Sequence, residues 1–475
     1  MMKEKLKLIS KNCYGILDEK IDIHIYLSPQ LFENFLEEES LNQLYNASQL
    51  PGVVSPVIGM PDIHAGYGLP IGGVMATDYE NGVVSAGAVG MDINCGVRLL
   101  TTKIDQEELN KEKIYKLLEA ISKRVPSGVG KSSSIKSLRK PDLEAIAFEG
   151  VSHYIKAGYG RKGDIERIED GGCIKGGDIS PIPKEAINRA DQLATIGGGN
   201  HFIEIGVIGK VFDQEIASKF GLYKNHIYVL IHTGSRGFGH QICTDFSRYM
   251  WERSDRYGIK APVKGLACAP IFSEEGQNYL KAMACAANYA FCNRQLITHF
   301  IREAFVEVMK KPEEELGLDL LYDVAHNIAK KEYHNGKWLL IHRKGATRAL
   351  PAGHKENPLC YRDTGHPAII PGSMGTASYV LVGSPEIGRT YCSVNHGAGR
   401  AMSRKRAKNE FTKEDMMEQM KNVIVANDLK SLLDEAPLAY KDIDEVIFTL
   451  VDAGLTKPVA KLRPLAVIKG EGEES

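Results

Sequence analysis

The chain has 475 residues, of which 43% are hydrophobic and 25% are charged, and its formal net charge at pH 7 is -1. These values place it among ordinary globular proteins with a sizeable core and exclude the non-globular classes. The balanced charge neither indicates nor excludes a nucleic-acid partner, because local patches and not the total charge decide affinity for phosphates.

Hydrophobic periodicity predicts an opening α+β region with helices near residues 107–125 and 184–195. Short apolar runs then predict strands at residues 227–231, 318–322, 338–341, 379–382 and 446–451. The longest predicted helix covers residues 273–310, with Ala, Met, Leu and Phe recurring on one face. We interpret this helix as core packing.

Glycines cluster beside polar residues at 66–73, 87–96, 197–199, 234–239, 372–375 and 397–399. Glycine tolerates strained dihedral angles and lets the backbone approach a ligand. The repeated clusters therefore indicate a site that many loops build together. For any one cluster, a tight turn without function is the alternative.

Targeting signals and cysteines add two expectations. The first twenty residues are rich in lysine and lack the apolar core of a secretory signal, and no apolar run approaches the roughly 18–20 residues that a membrane span needs. We therefore expect a cytoplasmic protein without a membrane partner. The nine cysteines include no C-x-x-C pair, so neither a disulfide framework nor a zinc ribbon is indicated.

A metal site is indicated by one cysteine and its neighbourhood. Asp92 and Cys95 lie three residues apart in a glycine-bounded turn, where thiolate and carboxylate can reach one divalent cation. His201, His232 and His326 each lie beside polar loop residues, which favours a role as ligands. The mixed donor set does not choose the metal, and zinc would suit it by raw preference.

Asp62 and His64 precede another glycine-rich segment. We expect these two side chains to support the metal-binding turn through hydrogen bonds.

Two glycine-rich segments do not match the known nucleotide-binding motifs that they resemble. Residues 127–132 end in Gly-Lys-Ser, but Val125 stands where a phosphate-binding loop needs its first glycine, and residues 234–239 lack the G-x-G-x-x-G spacing. A nucleotide must be held in another way.

His396 is the candidate for covalent chemistry. It lies among small residues, and an imidazole nitrogen can attack phosphorus. A turn histidine without function is the alternative. Residues 371–378 offer hydroxyl and backbone N–H groups to phosphate. Further cationic candidates for phosphate binding are Arg236, Arg343, Arg348 and Arg400.

Together these segments resemble the RtcB family of tRNA-splicing RNA ligases. The resemblance is carried by residues 62–73, 90–98, 199–204, 232–237, 323–327, 371–378, 396–404 and 462–470. It covers nearly the whole chain and implies an α+β fold, with residues 1–475 forming a single large catalytic domain of mixed sheets and surrounding helices. Ala65 departs from the bulkier polar residue expected there, which leaves the fine positioning of the substrate open.

The resemblance also implies roles for individual residues. Cys95 would bridge two manganese ions, with Asp92, His232 and His326 completing one site and His201 helping to hold the other. His396 would carry the guanylate. The implied nucleotide contacts are Asn200, Phe202, Glu204, Asn327, Pro371, Gly372, Ser373, Met374, Ser378, Gly397, Ala398, Gly399 and Lys469. Glu204 is chemically suited to guanine, since a carboxylate accepts from N1–H and N2–H₂ and adenine offers nothing equivalent.

The implied activity is GTP- and Mn²⁺-dependent joining of RNA 2′,3′-cyclic phosphate or 3′-phosphate ends to 5′-hydroxyl ends, in tRNA splicing or RNA repair. The expected partners are RNA, as tRNA halves or cleaved ends, and an activating protein of the archease type. The main alternative is a metal-dependent cyclic phosphodiesterase that does not ligate. Such an enzyme needs the metal ligands but not His396, Glu204 or Lys469, and all three are present. A non-catalytic RNA-binding protein would be expected to have lost a metal ligand, and none is missing.

Overall fold

The computed structural model describes residues 2–17 and 20–472. Short 3-10 helices occur in several of its connections. Its α-helices are α1 (Pro29–Phe35), α2 (Glu38–Ser48), α3 (Lys111–Arg124), α4 (Leu143–Glu149), α5 (Val151–Lys156), α6 (Lys184–Ile187), α7 (Gln214–Lys219), α8 (Arg236–Glu252), α9 (Glu274–Met309), α10 (Glu313–Leu316), α11 (Arg404–Glu410), α12 (Lys413–Gln419) and α13 (Ile443–Asp452).

The strands form two large sheets and two small ones. They are β1 (Lys7–Ser10), β2 (Cys13–Ile16), β3 (Ile23–Tyr26), β4 (Val53–His64), β5 (Ile71–Asp78), β6 (Val83–Ser85), β7 (Gly96–Asp105), β8 (Phe202–Val211), β9 (His226–Thr233), β10 (Cys268–Pro270), β11 (Asp319–Ala325), β12 (Asn327–His334), β13 (Lys337–Lys344), β14 (Ala346–Arg348), β15 (Ala368–Ile370), β16 (Ser378–Gly383), β17 (Ser393–Asn395), β18 (Ile424–Val425) and β19 (Thr456–Lys469).

The first large sheet has the strand order β1-β2-β3-β4-β5-β13-β12. Its neighbouring strands are antiparallel except for β3 and β4, which are parallel. In the register of this sheet Lys344 pairs with both Asn327 and Gly73, while His64 pairs with Ile71. The end of β4 and the polar ends of the β12–β13 hairpin therefore lie at one end of the sheet.

The second large sheet has the order β11-β7-β9-β8-β19-β16-β15, and the short β18 pairs with β19. Gly96 pairs with both Thr233 and Ala325. Phe202 pairs with both His232 and Lys469. This register aligns the start of β7, the start of β8, the end of β9, the end of β11 and the end of β19. Residues far apart in sequence thus meet at one sheet end.

Helix α9 is a buried core helix. Ser273 caps it by accepting a hydrogen bond from Gly276 N–H (3.1 Å), and apolar residues such as Ala286, Phe291 and Ile297 are almost fully buried. Its buried polar residues serve loops of the neighbouring sheet end: Asn293 donates to the carbonyls of Thr195 (3.0 Å) and Gly234 (3.2 Å). The prediction of a core helix at 273–310 is confirmed, and the helix also carries a polar stripe.

The α+β class is confirmed, and so are the strands predicted at 227–231, 318–322, 338–341 and 379–382, which fall in β9, β11, β13 and β16. The helix near 107–125 is confirmed as α3. The helix predicted near 184–195 is shorter in the structure, where only α6 is helical and the chain then continues as turns and loop. Among the described residues, no helix combines the length and apolar character needed to cross a membrane.

The strand predicted at 446–451 is wrong, because this segment belongs to α13. Asp442 caps the helix, and Val446, Ile447 and Leu450 are buried. Their spacing of one, three and four residues is that of a helix face, so the apolar run fills one side of a helix.

Candidate metal and nucleotide site

Four strands of the second sheet bring five predicted metal ligands together. Asp92 and Cys95 lie in the turn before β7, where Cys95 N–H donates to Asp92 O (3.0 Å) and Asn94 adopts a left-handed conformation with φ of 54°. His201 directly precedes β8, His232 lies in β9, and His326 directly follows β11. The strand register brings these segments to one end of the sheet.

The ligand atoms of these residues are in close contact. Cys95 Sγ lies 3.3 Å from His201 Nε2 and 3.4 Å from His232 Nε2. His232 Nε2 lies 3.3 Å from His326 Nε2, and His201 Nε2 lies 3.0 Å from Asp92 Oδ2. Two ligand groups result, namely Cys95 with His232 and His326, and Cys95 with Asp92 and His201. Cys95 is the residue that the two groups share.

This grouping corrects one detail implied by the resemblance. Asp92 was expected beside His232 and His326, but its carboxylate lies with His201. The turn from Asp92 to Cys95 faces the start of β8, so its carboxylate reaches the histidine that precedes that strand.

Electrostatics favour a cation at this cluster. Burial lowers the pKa of all three imidazoles, which favours their neutral form, and each neutral ring has one nitrogen with a lone pair to donate. Burial raises the pKa of the Cys95 thiol, and Asp92 raises it further. A metal ion bound to this thiol would convert it to a thiolate. The donor set of thiol, carboxylate and neutral imidazoles therefore fits divalent metal ions.

His396 lies in the loop after β17 and is held by Asp62. Its Nδ1–H donates to Asp62 Oδ2 (2.7 Å), and the same oxygen accepts from the backbone N–H groups of His396 (3.0 Å) and Gly397 (3.2 Å). This arrangement leaves Nε2 as the lone-pair nitrogen. Asp62 therefore supports the candidate nucleophile, whereas the sequence had suggested that it supports the metal turn.

A cavity of about 300 Å³ lies next to His396. It is lined by most of the expected nucleotide contacts, which are Asn200, Phe202, Pro371, Gly372, Ser373, Met374, Gly397, Ala398, Gly399 and Lys469. His64 also lines it, and burial lowers the pKa of His64 to about 3, so this side chain is neutral. The cavity thus combines small residues and open backbone with a few polar side chains.

Three expected nucleotide contacts lie outside the lining of this cavity. Glu204 is buried, and its Oε1 accepts from Tyr228 O–H (2.5 Å), while burial raises its pKa to about 8. Ser378 Oγ accepts from Gly372 N–H (3.0 Å) and so braces the loop at 371–374. Asn327 belongs to the neighbouring cavity, where its Nδ2 donates to Asp92 O (3.1 Å).

The neighbouring cavity, of about 260 Å³, is lined by four of the five predicted metal ligands, and the fifth, His232, lines the nucleotide cavity. The four ligands are Asp92, Cys95, His201 and His326, and Lys344 lines the same cavity. Burial lowers the pKa of Lys344 to about 8. His396 and Asn200 line both cavities, so His396 stands between the candidate metal centre and the candidate nucleotide cavity.

Sequence reasoning missed a buried carboxylate in the nucleotide cavity. Glu435 lies 3.2 Å from Lys469 Nζ, 3.3 Å from Arg400 Nη1 and 3.6 Å from Arg404 Nη2, and it accepts from Tyr440 O–H (2.5 Å). Burial alone would raise the pKa of Glu435, but the three cations have the larger combined effect, so its pKa lies below the usual value. Arg400 was a candidate for phosphate binding in the sequence, whereas nothing local marked Glu435.

Three of the four arginines proposed for phosphates line neither cavity, and one of them, Arg236, donates to Thr195 Oγ1 (3.2 Å) and Gly128 O (3.2 Å). Arg343 is buried and donates from Nη1 to Glu332 (2.6 Å), and Arg348 is paired with Glu332 (3.5 Å) and Glu356. Neither lines the two cavities. They belong to a buried charge network, while Arg400 does line the nucleotide cavity.

Comparison with known proteins agrees with this site. A family model described as tRNA-splicing ligase RtcB matches residues 43–470. A tRNA-splicing ligase RtcB of Methanococcus maripaludis is 47% identical over 456 residues, which cover 94% of each chain. One from Nanoarchaeum equitans is 45% identical over 99% of this chain and 100% of its own, and an RNA-splicing ligase RtcB of Mycobacterium bovis is 43% identical over 90% of this chain and 100% of its own.

These matches extend over almost the whole chain and include every segment that builds the two cavities. The protein is an enzyme, and it belongs to the RtcB family of tRNA-splicing RNA ligases.

Proposed function

We propose that this RNA ligase uses GTP and Mn²⁺ to join RNA 2′,3′-cyclic phosphate or 3′-phosphate ends to 5′-hydroxyl ends. The reaction passes through a guanylate on His396 and a guanylylated RNA 3′ end. One observation carries the proposal: His396 is oriented by Asp62 and lies in the wall shared by the nucleotide cavity and the metal-ligand cluster. A phosphodiesterase would not need a nucleophile at that position.

His396 performs the first transfer in this proposal. Its Nε2 lone pair attacks the α-phosphorus of GTP, so that an N–P bond forms as the bond to pyrophosphate breaks. The proton stays on Nδ1, where the hydrogen bond to Asp62 stabilises the positive charge that the ring acquires. A 2′,3′-cyclic phosphate end first adds water, which breaks the bond from phosphorus to O2′ and leaves a 3′-phosphate. An oxygen of this 3′-phosphate then takes the guanylyl group as the N–P bond to His396 breaks, and the 5′-hydroxyl displaces GMP to seal the strand.

The metal ligands proposed for two Mn²⁺ ions are Asp92, Cys95, His201, His232 and His326. The two ligand groups with Cys95 in common support a pair of ions, and the neutral imidazoles support metal binding. When bound, the ions would orient the phosphates and stabilise the charge that develops at phosphorus. Lys344, in the same cavity, adds a cationic side chain for the RNA 3′ end.

The nucleotide is proposed to occupy the cavity beside His396. The loop at 371–374 and the small residues at 397–399 expose backbone to the phosphates, and Phe202 and Tyr440 offer aromatic surface to the base. Phe202 and Glu204 lie on the same face of β8, two residues apart, which supports Glu204 as the residue that recognises guanine. Because both cavities use residues between His64 and Lys469, we treat residues 1–475 as one catalytic domain.

Labelling with radioactive GTP tests the proposal. In the presence of Mn²⁺ we expect an acid-labile protein adduct that is absent from His396→Ala. His153→Ala is the matched control, because His153 lies on α5 and lines neither cavity. Full labelling of His396→Ala would show that the assigned nucleophile is wrong.

A joining assay separates the proposal from the phosphodiesterase. RNA fragments ending in 2′,3′-cyclic phosphate and in 5′-hydroxyl should be joined in the presence of GTP and Mn²⁺. Opening of the cyclic phosphate with no joining, and with no protein adduct, would favour the phosphodiesterase.

A further inference from the structure

A buried arginine on α9 contacts three segments that carry metal ligands. Arg294 has 0% exposure, and its guanidinium uses every N–H group. Nη1 donates to the carbonyls of Asn94 (2.9 Å) and Thr233 (2.9 Å). Nη2 donates to Asn94 Oδ1 (3.1 Å), and Nε donates to Asp323 (2.9 Å).

Each of these contacts is close to a ligand in sequence. Asn94 directly precedes Cys95, Thr233 directly follows His232, and Asp323 lies three residues before His326. Arg294 itself touches none of the ligands in the bonds described. The three segments come from β7, β9 and β11, which pair side by side at this sheet end.

We infer that Arg294 is a positioning residue for the metal centre: it fixes the segments of Cys95, His232 and His326 relative to one another. The inference rests on the proposed metal site. Its partners include two backbone carbonyls, so its role is to set where the backbone of these segments lies. A ligand displaced by about 1 Å or less already weakens a metal site.

Only arginine has the geometry for this contact. Its planar fork presents five N–H donors in fixed directions, whereas lysine offers three donors from a single point. Arg294→Lys therefore keeps the charge but cannot reach Asn94, Thr233 and Asp323 together. A loss of metal affinity in this variant would report on geometry and not on charge.

Arg98 provides a matched control. It also has 0% exposure and also bonds Asp323, with Nε donating to Oδ2 (2.8 Å). Its remaining bonds go to α9, where Nη1 donates to Gln295 (2.6 Å) and Thr298 (3.1 Å). Arg98→Lys thus removes a comparable set of buried hydrogen bonds, none of which joins the turn before Cys95 to β9.

The experiment measures Mn²⁺ binding to the full chain by calorimetry, together with thermal unfolding of the metal-free proteins. Co²⁺ is a second probe, because its thiolate charge-transfer absorption reports coordination by Cys95. We expect both variants to lose similar thermal stability. Arg294→Lys should also weaken Mn²⁺ binding by about 10- to 100-fold and lower the Co²⁺–thiolate band, as supporting residues of metal ligands typically do. Arg98→Lys should change Mn²⁺ affinity much less, because it leaves in place the bonds of Arg294 to Asn94 and Thr233.

Two outcomes would overturn the inference in distinguishable ways. If the wild type binds Mn²⁺ but the two variants bind it equally well, Arg294 has a structural role only. If the wild type binds no Mn²⁺, the proposed metal site fails and the inference fails with it. Should Arg294→Lys not fold, Arg294→Gln is compared with Arg98→Gln, because glutamine is shorter and has two N–H donors in place of the five that Arg294 uses. Wild-type Mn²⁺ affinity in Arg294→Gln would overturn the inference.

Discussion

Asp62→Asn is the most direct test of how His396 is activated. In the protein as it stands, one carboxylate oxygen accepts three hydrogen bonds, two from backbone N–H groups and one from His396 Nδ1–H. Asparagine can still accept through its amide oxygen, but it carries no charge. The amide can also rotate and donate to Nδ1, which would place the proton on Nε2 and remove the nucleophilic lone pair.

The expected loss of guanylylation rate in Asp62→Asn follows from the burial of the contact between Asp62 and His396. Asp62 has 0% exposure, and the side chain of His396 is 13% exposed, so solvent screens their interaction only weakly. A hydrogen bond to a charged group contributes about 1.5–3 kcal/mol. Since about 1.4 kcal/mol corresponds to a factor of ten in rate, we expect guanylylation to slow by roughly 10- to 200-fold.

Single-turnover labelling with radioactive GTP measures this rate, with Asp452→Asn as a control in an exposed carboxylate that is paired with Lys11. Mn²⁺ affinity of Asp62→Asn should remain that of the wild type, because Asp62 contacts none of the five proposed ligands in the bonds described. A labelling rate within about twofold of the wild type would refute the proposed role of Asp62, since it would correspond to less than about 0.5 kcal/mol.

Two further predictions concern the metal and the base. Cys95→Ala should abolish metal binding, guanylylation and RNA joining. His396→Ala should abolish guanylylation but retain Mn²⁺ binding in calorimetry. Equal Mn²⁺ affinity in Cys95→Ala and the wild type would contradict the assignment of Cys95 as the shared ligand. Burial raises the pKa of Glu204 to about 8. Because guanine would bind to the ionised carboxylate, GTP affinity should fall about tenfold for each pH unit below that pKa and should level off above it. Glu204→Gln should remove this pH dependence and the preference for GTP over ATP, and a pH profile identical to that of the wild type would argue against Glu204 as the group that reads guanine.

Local sequence patterns predicted individual elements well where one periodicity was clear. The α9 helix and the strands β9, β11, β13 and β16 followed from their apolar patterns. The pattern failed at α13, where six consecutive residues rich in β-branched and aromatic side chains favoured a strand. A short apolar run fits a buried strand or one face of a helix equally well. Asp442, with Glu445 three residues later, was the local signal for a helix start that could have decided the matter.

The candidate site was predictable in its ligand types but not in its pairings. Glycine-rich loops and unusual polar residues marked Cys95, the three histidines and His396 within their own segments. The contact between Asp62 and His396 spans 334 positions in sequence and depends on how β17, in the small sheet with β14, packs against β4 of the first large sheet. The pairing of Glu435 with Lys469, and the place of Arg343 in a buried charge network, likewise cannot be read from the residues next to them in sequence.

The position of β19 within the second sheet has a consequence for synthesis of the protein. This strand lies between β8 and β16, and its last residue, Lys469, pairs with Phe202 and lines the nucleotide cavity. The five proposed metal ligands have all left the ribosome once His326 has emerged, but the nucleotide cavity needs a strand made more than a hundred residues later. A nascent chain therefore has its metal-binding residues before it has a complete nucleotide cavity, and it can acquire catalytic competence only after β19 has been made.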